Sequence, residues 1–241
     1  MSLFFIEALR RIRDIPFIYA IYVRTLGIPV MEYKRRSKIK SFQKNGKRIA
    51  AEYMGIADKN NIKVMCVFGT LLGVVRDNGF IPFDFDFDTA IMDTEKRKDF
   101  VHALYDNGFS INRQFLVENK LVLQTWQKDG VIIDMFIPQY DDQGMYFNTM
   151  WRFPNKQYHL GTYEEHEVWE HRYPKVDKLK VKHIYNFNVL IPENEVEVVE
   201  GVFGKGWRTP DPDFKHEPLK SIKMVKEDYY VDRDKAVDPW M

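Results

Sequence analysis

The chain has 241 residues, 45% of them hydrophobic and 15% aromatic, which is enough for one buried core and too apolar for a disordered spacer. Its 36 Lys/Arg and 35 Asp/Glu leave a net charge of +1, which argues against a chain-wide basic grip on nucleic acid. The single cysteine, Cys66, excludes a disulfide scaffold and any multi-cysteine zinc site.

The charge is unevenly spread. Residues 1–50 hold twelve Lys/Arg and three acids, a net +9, and the rest of the chain is −8. No run approaches the roughly 20 apolar residues of a membrane span. Apolar Leu3–Ile6 precedes the arginines, the reverse of a secretory signal, so a cytoplasmic protein is expected. The basic, aromatic residues 1–48 could also lie on an anionic inner membrane face. Helices packed on the body with a solvated basic face are the simpler expectation.

In chain order, Leu3–Arg13 reads as a short helix with Phe4, Ile6, Leu9 and Ile12 as its apolar positions, and Pro16 and Pro29 punctuate the next stretch of chain. Ser37–Asn60 reads as a longer helix. Val64–Phe68 is a strand ending at Gly69-Thr70, followed by helical turns over Leu71–Arg76 and a turn at Asp77-Asn78-Gly79. Asp84–Met92 is a strand, and Asp93-Thr94 caps a helix over Glu95–Tyr105 that stops at Asn107-Gly108. Ile111–Val117, Leu121–Gln127 and Val131–Ile137 form a β-meander. Residues 139–185 read as irregular, polar and aromatic. They hold His159, His166, His171 and His183, whose spacing gives no zinc site, and Trp151, Tyr158 and Trp169, best read as packing residues. Asn186–Ile191 is a further strand, Pro192 opens a helix through Val202, and Gly204–Trp207 leads to an extended tail. The order defines an α+β domain.

The informative stretch is Phe83-Asp84-Phe85-Asp86-Phe87-Asp88-Thr89. Side chains alternate faces along a strand, so three carboxylates share one face and three phenylalanines anchor the other in the core. Clustered carboxylates repel, and they need a raised pKa or a counter-cation. Mg2+, which favours hard oxygen ligands and bridges to phosphates, suits them, with Mn2+ as the alternative. A calcium-loop frame starting at Asp84 fails because Thr89 stands where a glycine is required and Pro82 breaks the incoming helix. Val131–Ile137 carries one carboxylate, Asp134, in an apolar strand. It is either ion-paired or the third member of a metal cluster with Asp86 and Asp88. The Gly69-Thr70 bend has backbone N–H groups placed to bind an anion at a helix start.

Phe68-Gly69-Thr70-Leu71-Leu72-Gly73, then Gly79-Phe80-Ile81-Pro82-Phe83-Asp84-Phe85-Asp86-Phe87-Asp88, resembles the signature of the LicD/fukutin-related family of the nucleotidyltransferase-fold superfamily. Ile133-Asp134-Met135-Phe136 resembles its third acidic strand. Leu190-Ile191-Pro192 with Phe203-Gly204-Lys205-Gly206-Trp207 and Pro210 resembles its closing element. Phe83 stands where the family usually has tryptophan, and Phe85 interrupts a run that is often three acids.

The resemblance implies a mixed β-sheet core flanked by helices, over residues 46–213, preceded by a basic helical segment, 1–45, and followed by an irregular C-terminal region and an extended tail, 214–241. It implies a phosphotransferase that moves phosphocholine or a polyol phosphate from a CDP-linked donor to a hydroxyl of a cell-surface glycan or glycolipid. Asp86, Asp88 and Asp134 would be catalytic and hold the metal with Asp84 beside them. Gly69, Thr70 and Arg76 would bind the donor phosphates, and Lys205 and Trp207 would edge the pocket. NMP transfer to a protein, RNA or small molecule, and a non-catalytic binding module on the same fold, are the alternatives.

Overall fold

The structure is a computed structural model that describes residues 28–117, 120–151, 167–211 and 222–226. The helix expected over Leu3–Arg13 and the turn at Glu118-Asn119 lie outside these, as do His159, His166 and Tyr158.

The first helix, α1 (Ile28–Lys59), starts nine residues before the expected Ser37. Pro29 lies in its first turn, where the missing N–H costs no intrahelical bond. Phe42, Ile49, Tyr53 and Ala57 form its buried stripe. The chain then runs through β1 (Val64–Cys66), α2 (Phe68–Arg76) and β2 (Asp86–Ile91). A single 3-10 turn, Thr94–Lys96, leads into α3 (Arg97–Asp106). Asp93 does not cap that turn as expected, because its Oδ2 accepts the Lys63 backbone N–H at 2.9 Å. The meander follows as β3 (Ser110–Val117), β4 (Lys120–Lys128) and β5 (Val131–Phe136).

The expectation of an irregular stretch over 139–185 was wrong for its described residues. They form β6 (Gln139–Asp141), β7 (Gly144–Trp151), β8 (Glu167–Arg172) and β9 (Leu179–Ile184). Aromatic and polar residues alternate here without a clean apolar period, so the strands are hidden in the pattern. Tertiary packing supplies the dry face: Phe147 meets Phe68, Phe136 and Tyr173 at ring separations of 4.9–6.1 Å. Finally come β10 (Phe187–Pro192), α4 (Glu195–Phe203) and β11 (Ile222–Lys226). Pro192 ends β10, paired with Leu179, and does not open the helix, which begins three residues later.

Two sheets result. The larger has seven strands in the order β3-β4-β5-β2-β1-β10-β9, and the smaller has four, β11-β8-β7-β6. In the larger sheet β2 pairs β5 in parallel and β1 pairs β10 in parallel, and the other neighbours are antiparallel. The protein is therefore a mixed α+β domain, as the element order predicts. Tyr53 of α1 packs on Phe87 of β2 and Phe100 of α3, which places the helical layer of α1 and α3 on the Phe87 face. The opposite face of β2 looks toward the start of α2. Among the described residues, no helix is long and apolar enough to cross a membrane.

The strand expected from Asp84 begins only at Asp86. Ile81–Asp84 is a turn, closed by the Asp84 N–H on the Ile81 carbonyl at 3.0 Å. Alternation consequently applies from residue 86 onward. Phe87 is fully buried as expected, whereas Phe83 is 50% exposed and Phe85 is half-buried, so neither anchors the core.

Candidate active site

The site is built at the bend between β1 and α2. Val67 N–H bonds the Asp88 carbonyl at 3.2 Å, tying the bend to β2. In return, the Asp88 N–H is donated to the Thr70 hydroxyl at 2.7 Å. A helix start leaves its first N–H groups without intrahelical partners, and the Gly69 and Thr70 amides there lower the pKa of the Asp88 carboxyl against the larger effect of its burial. A Cβ added at Gly69 would lie 3.5 Å from a carboxylate oxygen of Asp84 and of Asp88, so the missing side chain leaves both groups open on that side.

Asp86, Asp88 and Asp134 each present a carboxylate oxygen, and these oxygens lie within 4.8 Å of one another. The parallel register sets Asp88 opposite Asp134, and Asp86 shares their face two residues earlier. Asp84 lies on the preceding turn, where its Oδ1 accepts the Phe85 N–H at 3.0 Å. Burial, and then the neighbouring carboxylates, pushes Asp86 and Asp88 well above the usual carboxylate range. Burial also raises Asp84. Neither Asp86 nor Asp88 has a cationic partner among the described residues. Three hard oxygen donors gathered together, two of them without a counter-charge among the described residues, fit a divalent cation, so this cluster could hold a metal.

Asp134 is held differently. Thr125 of β4 donates its hydroxyl to Asp134 Oδ1, and Arg113 of β3 donates Nε–H to Thr125 Oγ1 at 3.0 Å while its guanidinium stands 3.8 Å from Asp134 Oδ2. Thr89 donates to the Asp134 carbonyl at 3.1 Å, and lies 3.2 Å from the Tyr53 hydroxyl. Sequence reasoning missed Arg113 and Thr125. The usable signal was register, since Thr125 pairs with both Arg113 and Asp134 across the meander.

A cavity of about 400 Å³ adjoins the cluster, lined by Gly69, Arg76, Phe83, Asp84, Phe203 and Trp207 among others. Arg76 is held in its wall. Its Nε and Nη2 donate to the Asp77 carboxylate at 2.9 and 2.8 Å. Lys205 lies apart, on the rim of another cavity next to α4. His171, expected on irregular chain, is buried in β8 with its Nε2 2.7 Å from the Thr149 hydroxyl and its ring against Phe68.

An acidic strand pair beside a helix-start bend, on a mixed sheet, accords with the nucleotidyltransferase domain that the family match identifies. Residues 61–194 match the family described as LicD/FKTN/FKRP, nucleotidyltransferase domain, and the chain belongs to that family. Among curated relatives, it is 26% identical over 179 residues to the uncharacterized protein RT0683 of Rickettsia typhi, covering 66% of this chain and 57% of that protein. It is 24% identical over 171 residues to the human ribitol-5-phosphate transferase FKTN, covering 70% of this chain and 34% of that protein. The chain thus spans little more than half of the Rickettsia relative's length and about a third of the human one's.

Proposed function

We propose that this protein is a divalent-metal-dependent phosphotransferase, with Mg2+ as its metal, acting on a CDP-linked donor and a hydroxyl of a glycan or glycolipid. The observation that carries the reading is the convergence of Asp86, Asp88 and Asp134, next to Asp84 and Gly69, which line a cavity of about 400 Å³. Family membership and the similarity to the ribitol-5-phosphate transferase FKTN support glycan phosphotransfer, with a polyol phosphate or phosphocholine as the transferred group.

Asp86, Asp88 and Asp134 would hold the metal, with Asp84 supporting Asp86. The bound metal would screen and orient the donor diphosphate. The cavity would seat the donor, with Gly69, Thr70 and Arg76 at its phosphate end. The acceptor hydroxyl oxygen attacks the phosphorus bearing the head group. The new O–P bond forms as the bond to CMP breaks, and the hydroxyl proton passes to Asp134.

Incubation with a CDP-linked choline or polyol donor, Mg2+ and a hydroxyl-bearing glycan tests this. CMP release is expected from the wild type and not from Asp86→Asn. Pyrophosphate release from CTP in place of CMP would assign NMP transfer. Absence of divalent-metal binding together with an inert Asp86→Asn would assign a binding module.

A further inference from the structure

Phe68 opens α2 with φ +45°, the left-handed region that a residue with a large side chain rarely enters. Its N–H would be an orphan of the first helical turn, buried away from water. It is donated instead to the hydroxyl of Tyr173, 105 residues further along the chain, at 3.0 Å. On either side of it the same segment grips the backbone of Asp88: the Val67 N–H bonds the Asp88 carbonyl at 3.2 Å, and the Thr70 hydroxyl accepts the Asp88 N–H at 2.7 Å. The start of α2 is thus tied to one tyrosine hydroxyl and one aspartate.

Tyr173 is itself fixed from the smaller sheet. It is buried, its N–H bonds the Met145 carbonyl at 3.0 Å, and its ring packs on Phe147 and Phe68 at 4.9 and 5.9 Å. A phenylalanine would fill the same space. What the hydroxyl adds is the acceptor for an amide that would otherwise be buried unpaired. The hydroxyl accepts from Phe68, so its own proton remains to be given, and it lies near enough to Asp88 to feel that carboxylate's charge.

The geometry points to Tyr173 as a positioning residue of the acidic cluster: its hydroxyl fixes the start of α2 and, through the Val67 N–H and Thr70 hydroxyl that grip the Asp88 backbone, holds the Asp88 carboxylate in the direction that binds a divalent cation. The inference rests on the reading of the cluster as a metal site. It also gives the smaller sheet a role in the site, because that sheet delivers the hydroxyl.

Isothermal titration with Mg2+ alone, on the full chain, compares wild type, Tyr173→Phe, Asp88→Asn and Val101→Ala. Val101 lies buried in α3, in the layer on the other face of the larger sheet, and controls for lost stability. Tyr173→Phe should weaken Mg2+ binding on the order of 10-fold. Val101→Ala should bind as wild type, and Asp88→Asn should not bind. Wild-type affinity in Tyr173→Phe, or an equal loss in Val101→Ala, overturns the inference. Wild-type affinity in Asp88→Asn overturns the metal reading instead. Should Tyr173→Phe fail to fold, 3-fluorotyrosine placed at position 173 reports directly. Its 19F resonance should move on Mg2+ saturation, and an unmoved resonance overturns the inference.

Discussion

Asp88 and Asp134 stand directly opposite each other in the parallel pairing of β2 and β5, with their carboxylates on the sheet face away from Phe87. Each is fixed by a separate set of bonds. Asp88 is held through its backbone by the Thr70 hydroxyl and the Val67 N–H, and Asp134 takes the Thr125 hydroxyl beside Arg113. Two anchored carboxylates facing one another form a site only with a cation between them, which makes their removal informative. Asp88→Asn and Asp134→Asn should each abolish transfer, by at least about 100-fold in kcat/KM, while Thr125→Val loses on the order of 10-fold. Initial-rate measurements at saturating Mg2+ check this. Equal activity of Asp134→Asn and wild type would remove Asp134 from the mechanism.

Stability should depend on pH in a direction set by the raised acids. Asp86 and Asp88 titrate well above the usual value of about 4 when folded, by burial first and mutual repulsion second. A folded pKa above the unfolded one contributes stability below about pH 4 that is lost as pH rises through the folded value. The metal-free protein should therefore lose thermal stability as pH rises above about 4, and Mg2+ should restore it most at the highest pH. Asp141 has the opposite sign. Its bond to the Arg172 guanidinium holds it down to about 2, so that contribution is lost only as pH falls from about 4 toward 2, outside this window. Melting curves in EDTA and in Mg2+ at pH 5, 6, 7 and 8 test the trend, and Asp86→Asn should flatten the EDTA series.

Gly73→Ala should disturb the turn that carries Asp84. A Cβ there would lie 2.6 Å from the Gly79 carbonyl oxygen and 3.1 Å from the Ile81 nitrogen, both backbone atoms that cannot rotate away. The Gly73 carbonyl also accepts the Asp77 and Gly79 N–H groups at 2.8 and 3.2 Å. A loss of about 1–3 kcal/mol is expected from urea denaturation. Metal affinity should fall too, because Asp84 moves with the turn.

The exposed aromatic wall of the cavity should act on binding more than on chemistry. Phe83 is 50% exposed and lines the cavity with Trp207, whose buried indole N–H has no hydrogen-bond partner among the described residues. Phe83→Ala and Trp207→Phe should each raise the donor KM by about 3- to 10-fold with a smaller change in kcat, if those contacts serve ground and transition states alike. An unchanged KM in both would move the donor out of this cavity.

Local pattern was enough for much of the fold and for the acidic residues themselves. The strand and helix within residues 64–76, the meander, and the placement of Asp86 and Asp88 on one face follow from periods of two and 3.6, which depend only on near neighbours, although the bend falls at Phe68 and the expected Gly69-Thr70 turn lies inside the helix. Family likeness in the same motifs carried the sequence reading further than alternation did, since alternation was wrong at Phe83 and Phe85, where a turn replaces the strand. The smaller sheet was hidden because its strands are made dry by contacts with Phe68 and Phe136, not by their own periodicity.

The sequence alone determined which side chains carry charge, which strands they sit on and which way those strands alternate. Only the tertiary structure decided that β2 lies beside β5, that Arg113 and Thr125 reach Asp134, and that Tyr173 reaches Phe68 across 105 residues. Strand order and register are settled by burying distant surfaces together, and no window of neighbouring residues contains that free energy.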